Sequence, residues 1–452
     1  MPAADSIATR APAGAVRPRG LAGALLRRRY RWWIGGLLFA STVINYLDRQ
    51  TLSVLAPMLK DEFRWSNQDF ALVLISFRIA YALMQAVAGR IMDRIGTRRG
   101  LTLAVAWYSL ASMLTPLARG LAGFCVARFA LGVGEAGNWP GATKAVSEWF
   151  PRRERAWAVA LFDSGSSIGA AVAPALVLWL ALTFGGWRPA FVITGVLGLL
   201  WIVLWRRSYH PPEHHPHIDP AERVMILADR AEESTGESSV TEQVQPTVVQ
   251  LLAHRQTWAA IAARALTDPV WFLITDWFAI YLVSKGFRLE DTLAGFWIPF
   301  LAADFGNFFG AGVSSALIRR GWSVGRARRV LIVAGALGVL ALVPAAFASG
   351  FWTLVACFAI ATFSYAAMST MALSLPADLF QTRAVGSVAG MAGSAAGIGT
   401  VASTFVIGVV TDHFSFTPVL IAASAVPAIA ALLVILLARN TQASGHGWIK
   451  VI

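Results

Sequence analysis

Residues 89–99 read GRIMDRIGTRR, a short basic segment between two long apolar runs at roughly 68–92 and 99–118. Its glycines permit a tight, closely packed turn, and its aspartate and arginines can form a charge network that is able to switch. Basic loops are common, but the spacing G-x-x-x-D-R-x-G-x-R-R is specific. The segment predicts a conformational switch loop between two membrane spans, formed by Gly89, Asp93, Arg94, Gly96, Arg98 and Arg99.

Apolar runs of similar length recur along the 452 residues, which are 56% hydrophobic. A helix needs about 20 apolar residues to cross a hydrocarbon core of about 30 Å, and only helices satisfy their own backbone over such runs. The sequence therefore predicts an all-α membrane protein with twelve transmembrane helices in two six-helix bundles. The predicted spans are 32–57, 68–92, 99–118, 121–147, 156–183, 187–205, 257–284, 290–318, 327–347, 351–376, 385–411 and 415–438.

The net charge of +13 is distributed unevenly. Lys and Arg concentrate in the N-terminal tail, near 90–99 and 319–329, and in the central loop, which share one side of the membrane if the spans alternate. This positive-inside pattern predicts cytoplasmic N- and C-termini. The basic character thus reflects topology, with a lipid bilayer as partner and no nucleic acid. Cys125 and Cys357 both fall in spans, so no disulfide framework is expected.

A long polar segment divides the spans into six and six. In that segment, Asp219 has the position of an N-cap and Glu222 that of a capping-box partner, which predicts a short helix near 219–232. Matches at an offset of 230, such as Phe150 with Phe380 and Ser164 with Ser394, support duplicated halves. The predicted divisions are a cytoplasmic tail 1–31, a first bundle 32–207, a central loop 208–256, a second bundle 257–440 and a cytoplasmic tail 441–452.

The N-terminal tail has no apolar segment with a cleavage site before residue 32. We interpret it as an uncleaved cytoplasmic tail, with a targeting peptide as the alternative. His210, His214, His215 and His217 lie among prolines, which favours a solvated linker over a metal site.

The 89–99 segment resembles the loop signature of the major facilitator superfamily. Residues 45–49 (NYLDR), 128–137 (RFALGVGEAG) and 148–151 (EWFP) are similar to its anion:cation symporter family, and most of all to bacterial hexuronate (glucuronate and galacturonate) transporters. The resemblance implies proton-driven uptake of an organic anion, typically a sugar acid, across the bacterial inner membrane. It implies a transporter, not an enzyme, with the proton as coupling ion and no other cofactor. We expect a monomer, although the sequence does not specify the oligomeric state.

Charged residues inside the predicted spans are costly and usually mark a substrate or ion path. Asp48 and Arg49 interrupt the first span, and Arg128 and Glu135 interrupt the fourth. The last two are seven residues apart, so they share one helix face at about 10.5 Å along the axis. Burial disfavours a charged carboxylate, and a nearby arginine favours it. A substrate that occupies the arginine would therefore promote protonation of the acid.

By resemblance, Arg49 is the anchor for the substrate carboxylate, where a bidentate fork suits the ligand. Asp48 and Glu135 are the proton-coupling acids, and Arg128 is the partner that tunes Glu135. Candidate contacts to sugar hydroxyls are Tyr46, Tyr81 and Gln85. The alternatives are a permanent salt-bridge network for the acids and ordinary interhelical hydrogen bonding for Tyr81 and Gln85.

Other intramembrane residues depart from the hexuronate pattern or have open roles. Asp268-Pro269 is expected to break the seventh span, with Asp268 as a cap of the resumed helix. Asp304 and Asn307 are equally compatible with pore lining and packing. Arg78 and Asp276 are predicted to pair near the outer side.

Residues 365–369 (YAAMS) carry Ala and Met where polar and Trp residues are expected, which leaves the identity of the sugar acid open. Two rival functions also stay open. An organic-anion exchanger or exporter would need no coupled acid, and a transporter-like sensor would bind the anion without net flux.

Overall fold

The computed structural model describes residues 29–65, 67–234, 246–287 and 293–438. Within these ranges the regular elements are helices. The first half contains α1 (Tyr30–Val54), α2 (Ala56–Phe63), α3 (Asn67–Ile95), α4 (Thr97–Leu114), α5 (Leu121–Glu135), α6 (Asn138–Trp149), α7 (Arg152–Thr183) and α8 (Arg188–Ser208). Helices α9 (Pro220–Ser234) and α10 (Val248–Leu252) follow in the linker. The second half contains α11 (Arg255–Ser284), α12 (Leu293–Arg319), α13 (Val324–Val339), α14 (Leu342–Phe347), α15 (Phe351–Leu379), α16 (Thr382–His413) and α17 (Phe416–Leu437).

Each predicted span corresponds to one long helix or to a consecutive pair, α5 with α6 and α13 with α14. In the described part of the chain, nine spans are long and apolar enough to cross a membrane by length and composition. The other three predicted spans are α1, α5 with α6, and α11. All three carry intramembrane charges, namely Asp48 and Arg49, Arg128 and Glu135, and Arg264 and Asp268. The fourth span is also divided into helices of 15 and 12 residues, each too short to cross alone.

The apolar cores follow the division of the chain into halves. Two hydrophobic clusters consist almost entirely of first-half residues, and two almost entirely of second-half residues. Buried aromatic rings hold the first half together, with Trp201 stacked on Trp205 at a centroid distance of 5.0 Å. Many large apolar side chains remain exposed on the outer surface, Leu182 (81%) and Phe405 (73%) among them, as expected of helices that face lipid.

The two halves touch most closely at the end of the molecule where α1 begins and α17 ends, here called the terminal end. There α3 crosses α16 at Gly89, where an added Cβ would lie 2.0 Å from the carbonyl oxygen of Gly386. On the other side, the Arg155 guanidinium donates to the carbonyl of Ala377 at 3.0 Å. Both contacts join the first half to the second, so the terminal end is closed.

Four local predictions were wrong. The switch loop is largely helical, because α3 runs to Ile95 and α4 starts at Thr97; only Gly96 lies between them, with φ of +83°. The seventh span does not break at Asp268-Pro269, since α11 continues through Pro269.

The fourth span, predicted as continuous, is interrupted between Glu135 and Asn138. Pro140 accounts for this, because its ring clashes with the carbonyl four residues earlier, at Ala136. The fourth error concerns Glu222, which does not close a capping box. Its carboxylate instead accepts from the backbone N–H of Tyr30 at 2.8 Å and from Arg31 Nη1 at 2.6 Å. Asp219 does accept from the N–H of Ala221 at 2.9 Å, at the start of α9.

The His210–His217 segment is partly packed and not simply solvated. His215 is buried, with its ring 4.3 Å from the ring of Tyr30 and 5.2 Å from that of Trp149. In the described residues, no three His, Cys, Asp or Glu side chains come together as metal ligands would.

Candidate substrate cavity

A cavity of about 800 Å³ lies between the two halves. Its lining residues come from the middle of the helices and from the parts farther from the closed terminal end, so the cavity extends toward the opposite end of the molecule. The volume lies in the range that holds a small organic ligand. The polar and aromatic side chains in its wall include Tyr46, Arg49, Arg78, Tyr81, Gln85, Arg128, Trp139, Asp163, Arg264, Asp268, Trp271, Asp304, Asn307 and Tyr365.

Arg49 is the cation with the most contacts described on the side of the cavity formed by the first half. Its Nε donates to Oε2 of Glu135 at 2.6 Å, and Glu135 is completely buried while the Arg49 side chain is 19% exposed. Aromatic rings surround the guanidinium, with Tyr81 at 4.5 Å and Tyr46 at 5.1 Å from its Cζ. Its Nη2 is buried without a hydrogen-bond partner among the described residues. The guanidinium is thus fixed by one edge and still has unused donors.

Asp48 points away from the cavity into the first half. It is buried, and its Oδ1 accepts from Ser112 Oγ at 2.8 Å. Arg128 Nη1 donates to the backbone carbonyl of Asp48 at 3.3 Å. Glu135 pairs with Arg49, while Arg128 reaches the backbone of Asp48, so the role of Arg128 in tuning Glu135 stays a prediction. The four charged residues still form one connected group.

The opposite wall holds a second ion pair, which sequence reasoning missed. Arg264 and Asp268 lie one turn apart on α11, with Nη2 to Oδ2 at 2.5 Å and Nε to Oδ2 at 2.9 Å. The Tyr365 hydroxyl lies 3.5 Å from Asp268, and the Tyr365 ring stacks on Trp271 with centroids 5.6 Å apart. Asp268 is thus an ion-pair partner in the cavity wall, not the helix cap that the sequence favoured.

Two further carboxylates lie where α7 of the first half meets α12 of the second. Asp163 accepts from Trp139 Nε1 at 3.4 Å and from Asn307 Nδ2 at 3.5 Å. Asp304 accepts from Ser167 Oγ at 2.7 Å. Asp304 and Asn307, whose roles the sequence left open, both line the cavity.

The remaining residues predicted to contact the substrate differ in whether they face the cavity or bond to another helix. Tyr46 and Tyr81 face the cavity beside Arg49. Gln85 is 3% exposed, and its Nε2 donates across the halves to the carbonyl of Gly393 at 3.4 Å. Its observed bond is therefore interhelical. Arg78 lies over the Phe272 ring at 6.0 Å; the side chain of Asp276 is outside the described residues, so their pairing stays a prediction.

The switch residues lie at the closed terminal end. Asp93 is buried and accepts from Lys144 Nζ at 2.8 Å, from the N–H of Gly386 at 3.1 Å and from the N–H of Ser387 at 2.6 Å. One ionic partner of Asp93 is thus Lys144 of α6, which the sequence prediction did not include. Arg98 donates to the carbonyl of Arg206, while Arg94 and Arg99 are exposed.

Arg264 and Asp163 could have been found by the signal that identified Arg49, a charge inside an apolar run. The spacing of four between Arg264 and Asp268 also predicts a pair on one helix face. Asp163 is a single acid in the predicted fifth span, with no neighbour in sequence to suggest its contact with Trp139.

The family model described as Major Facilitator Superfamily matches residues 38–327. The chain is 30% identical over 416 residues to the hexuronate transporter of Escherichia coli (strain K12), covering 91% of this chain and 95% of that protein. It is 34% identical over 311 residues to the galacturonate transporter of Dickeya chrysanthemi, covering 68% of this chain and 88% of the relative.

The fold resembles that of solved transporters. The proton:xylose symporter XylE superposes with a TM-score of 0.72 at 14% identity, covering 91% of this chain and 96% of that one. The Escherichia coli fucose:proton symporter FucP gives a TM-score of 0.64 at 16% identity, covering 91% and 100%. The family match, the extended sequence similarity and the two-bundle fold agree: the chain belongs to the major facilitator superfamily.

Proposed function

We propose that this protein imports a sugar acid, a hexuronate or a close relative, together with protons by alternating access. The observation that carries the proposal is the Arg49–Glu135 ion pair in the wall of the central cavity. Relatives named as transporters of hexuronate, galacturonate and D-galactonate support the substrate class.

The pair provides a physical route to coupling. Arg49 has donors free of protein partners, so a substrate carboxylate binds there through charge-assisted hydrogen bonds. The incoming carboxylate competes with Glu135 for the same guanidinium. Once Glu135 loses that interaction, its buried charge becomes costly and it takes up a proton. Binding of the anion and of the proton are thereby linked.

Asp48 extends this linkage away from the cavity. It directly precedes Arg49 in α1, on the buried side, and Arg128 Nη1 donates to its backbone carbonyl. Movement of Arg49 toward a substrate therefore alters the surroundings of both acids. In this proposal the proton is the coupling ion and no cofactor takes part.

The membrane orientation follows from the charge pattern. With the Arg-rich segments in the cytoplasm, the terminal end faces the cytoplasm and the cavity extends toward the outside. The described conformation is then outward-facing, with Asp93 and its partners closing the inner side. The protein functions as a monomer in the lipid bilayer of the bacterial inner membrane.

Uptake of labelled galacturonate and glucuronate into proteoliposomes tests the proposal, with and without an inward proton gradient. We expect accumulation above the external concentration only when the gradient is present. Uptake that ignores the gradient but requires an internal anion would identify an exchanger. Tight binding with no flux in either condition would identify a sensor.

A further inference from the structure

We propose that Asp163 and Asp304 restrict the substrate to acids with one carboxylate, by binding the hydroxyls at its far end and repelling a second carboxylate. The inference rests on the proposed function and deepens it by naming the substrate class. It predicts uronates or aldonates as substrates and dicarboxylic aldarates as poor ones.

The first step is that these two carboxylates have no ion-pair partner in the described part of the chain. The nearby cation, Arg264, is held by Asp268 through both Nε and Nη2. Asp163 accepts only from neutral groups, the indole of Trp139 and the amide of Asn307. Among the described residues, no Lys or Arg forms an ion pair with Asp163 or Asp304. This part of the wall therefore holds three carboxylates to one guanidinium.

The second step is the position of Trp139 between the two charged regions. Its ring lies 5.7 Å from the Arg49 guanidinium, and its Nε1 donates to Asp163 at 3.4 Å. A substrate whose carboxylate sits at Arg49 therefore extends along the indole toward Asp163. An aromatic face suits the apolar C–H surface of a sugar chain, and the polar rim suits its hydroxyls.

The third step concerns what the far end of the substrate must offer. A hydroxyl donates to a carboxylate oxygen, whereas an ionised carboxylate only accepts. Like charges that face each other in a binding site oppose association strongly enough to select against a partner. A hydroxyl end, which an aldonate offers as its terminal O–H and a uronate in its ring form as its hemiacetal O–H, is thus accepted, and a second carboxylate is rejected.

Galacturonate and galactarate are a matched pair for the test, because they differ at one terminal carbon. We would measure how each unlabelled acid competes with labelled galacturonate in counterflow at pH 7.5. For the wild type we expect galactarate to compete at least roughly tenfold more weakly, a difference of about 1.4 kcal/mol. Asp163→Asn and Asp304→Asn keep the shape but remove the charge, and each should narrow that ratio.

Asp61→Asn is the control variant, because Asp61 is an exposed carboxylate on α2 outside the cavity. This substitution changes the net charge by the same amount as Asp163→Asn or Asp304→Asn. It should leave the ratio of galacturonate to galactarate competition as in the wild type. Equal competition by the two acids in the wild type would overturn the inference while galacturonate counterflow leaves the proposed function standing. The inference would also be overturned if the Asn variants retain counterflow and show the wild-type ratio of galactarate to galacturonate competition. Absence of galacturonate counterflow in the wild type would contradict the proposed function and this inference with it.

Discussion

Arg49 combines an ion pair, an aromatic surround and unused donors in one side chain. Its Nε is committed to Glu135, while Tyr46, Phe77, Tyr81 and Trp139 lie around the guanidinium plane within 4.5–5.7 Å of Cζ. A planar fork can hold one acid and offer its other edge to another, which a lysine cannot do.

Arg49→Lys should therefore weaken galacturonate binding by roughly tenfold to a hundredfold, the effect of losing a charged hydrogen bond worth about 1.5–3 kcal/mol. The measurement is the half-saturating concentration in counterflow. Arg78→Lys, in the same cavity but nearer its outer part, is the matched control and should change that concentration far less. Equal losses in both variants would contradict the role assigned to Arg49.

The charged residues of α1 and α5 could be predicted because a charge in an apolar run is conspicuous. Their pairing could not, since helical periodicity defines which face of α5 carries Glu135 but not which helix that face meets. The ion pair between Glu135 and Arg49 therefore emerges only from the folded structure. The same limit hid the contact between Trp139 and Asp163, which are 24 residues apart.

At the scale of elements, the linker is tied to the first half through one histidine. His215 is 1% exposed; its Nε2 lies 2.9 Å from the carbonyl of Ser208, and its Nδ1 accepts from the N–H of His217 at 3.1 Å. The ring is therefore neutral, with the proton on Nε2. Burial lowers the pKa of His215 below its ordinary value of 6.5, and the positive groups of His210, His217 and Arg223 lower it further.

The lowered pKa of His215 predicts that the folded protein loses stability in acid. Because the folded pKa lies below 6.5, the unfolded chain binds the proton first, so the contribution is complete above pH 6.5 and is lost as the pH falls toward the folded pKa. The melting temperature should fall between pH 7.5 and 5.5. His215→Gln should reduce that fall, whereas His214→Gln, at an exposed position, should behave as the wild type. An identical pH slope in all three proteins would refute the assignment.

The crossing of α3 and α16 depends on the absence of a side chain at Gly89. An alanine Cβ would lie 2.0 Å from the Gly386 carbonyl oxygen, so Gly89→Ala should disfavour the closed terminal end. Spin labels on Ile95→Cys and Thr382→Cys would report this as a longer distance by pulsed EPR. Gly36→Ala is the control, since nothing lies within 4 Å of its Cβ. An unchanged spin-label distance in the Gly89 variant would contradict this, because it would show that the crossing accommodates the added methyl group without opening.

Helix positions were largely predictable, because long apolar runs define membrane spans. Two of the errors in helix bounds occurred at prolines: Pro140 ends α5 early, while Pro269 is accommodated inside α11. Whether a proline breaks a span depends on the packing around it, which composition does not specify.

At the scale of the whole molecule, the two halves close at the terminal end and separate around the cavity. Charged contacts provide the closure: Asp93 joins Lys144 to the start of α16, and Asp378 joins Arg155 to Arg328 at 3.6 and 2.8 Å. Each cluster includes residues from both halves, so opening the terminal end must break both. The energy of substrate and proton binding in the cavity is available to shift this balance.

The most direct test of the account compares gradient-driven accumulation with counterflow in Glu135→Gln proteoliposomes. Glutamine keeps the shape of the side chain but cannot exchange a proton, so the account predicts that accumulation of galacturonate is lost while counterflow persists. Glu62→Gln, an exposed acid paired with Arg188, should retain both activities. Accumulation by Glu135→Gln at the wild-type level would contradict the claim that the Arg49–Glu135 pair couples the anion to the proton.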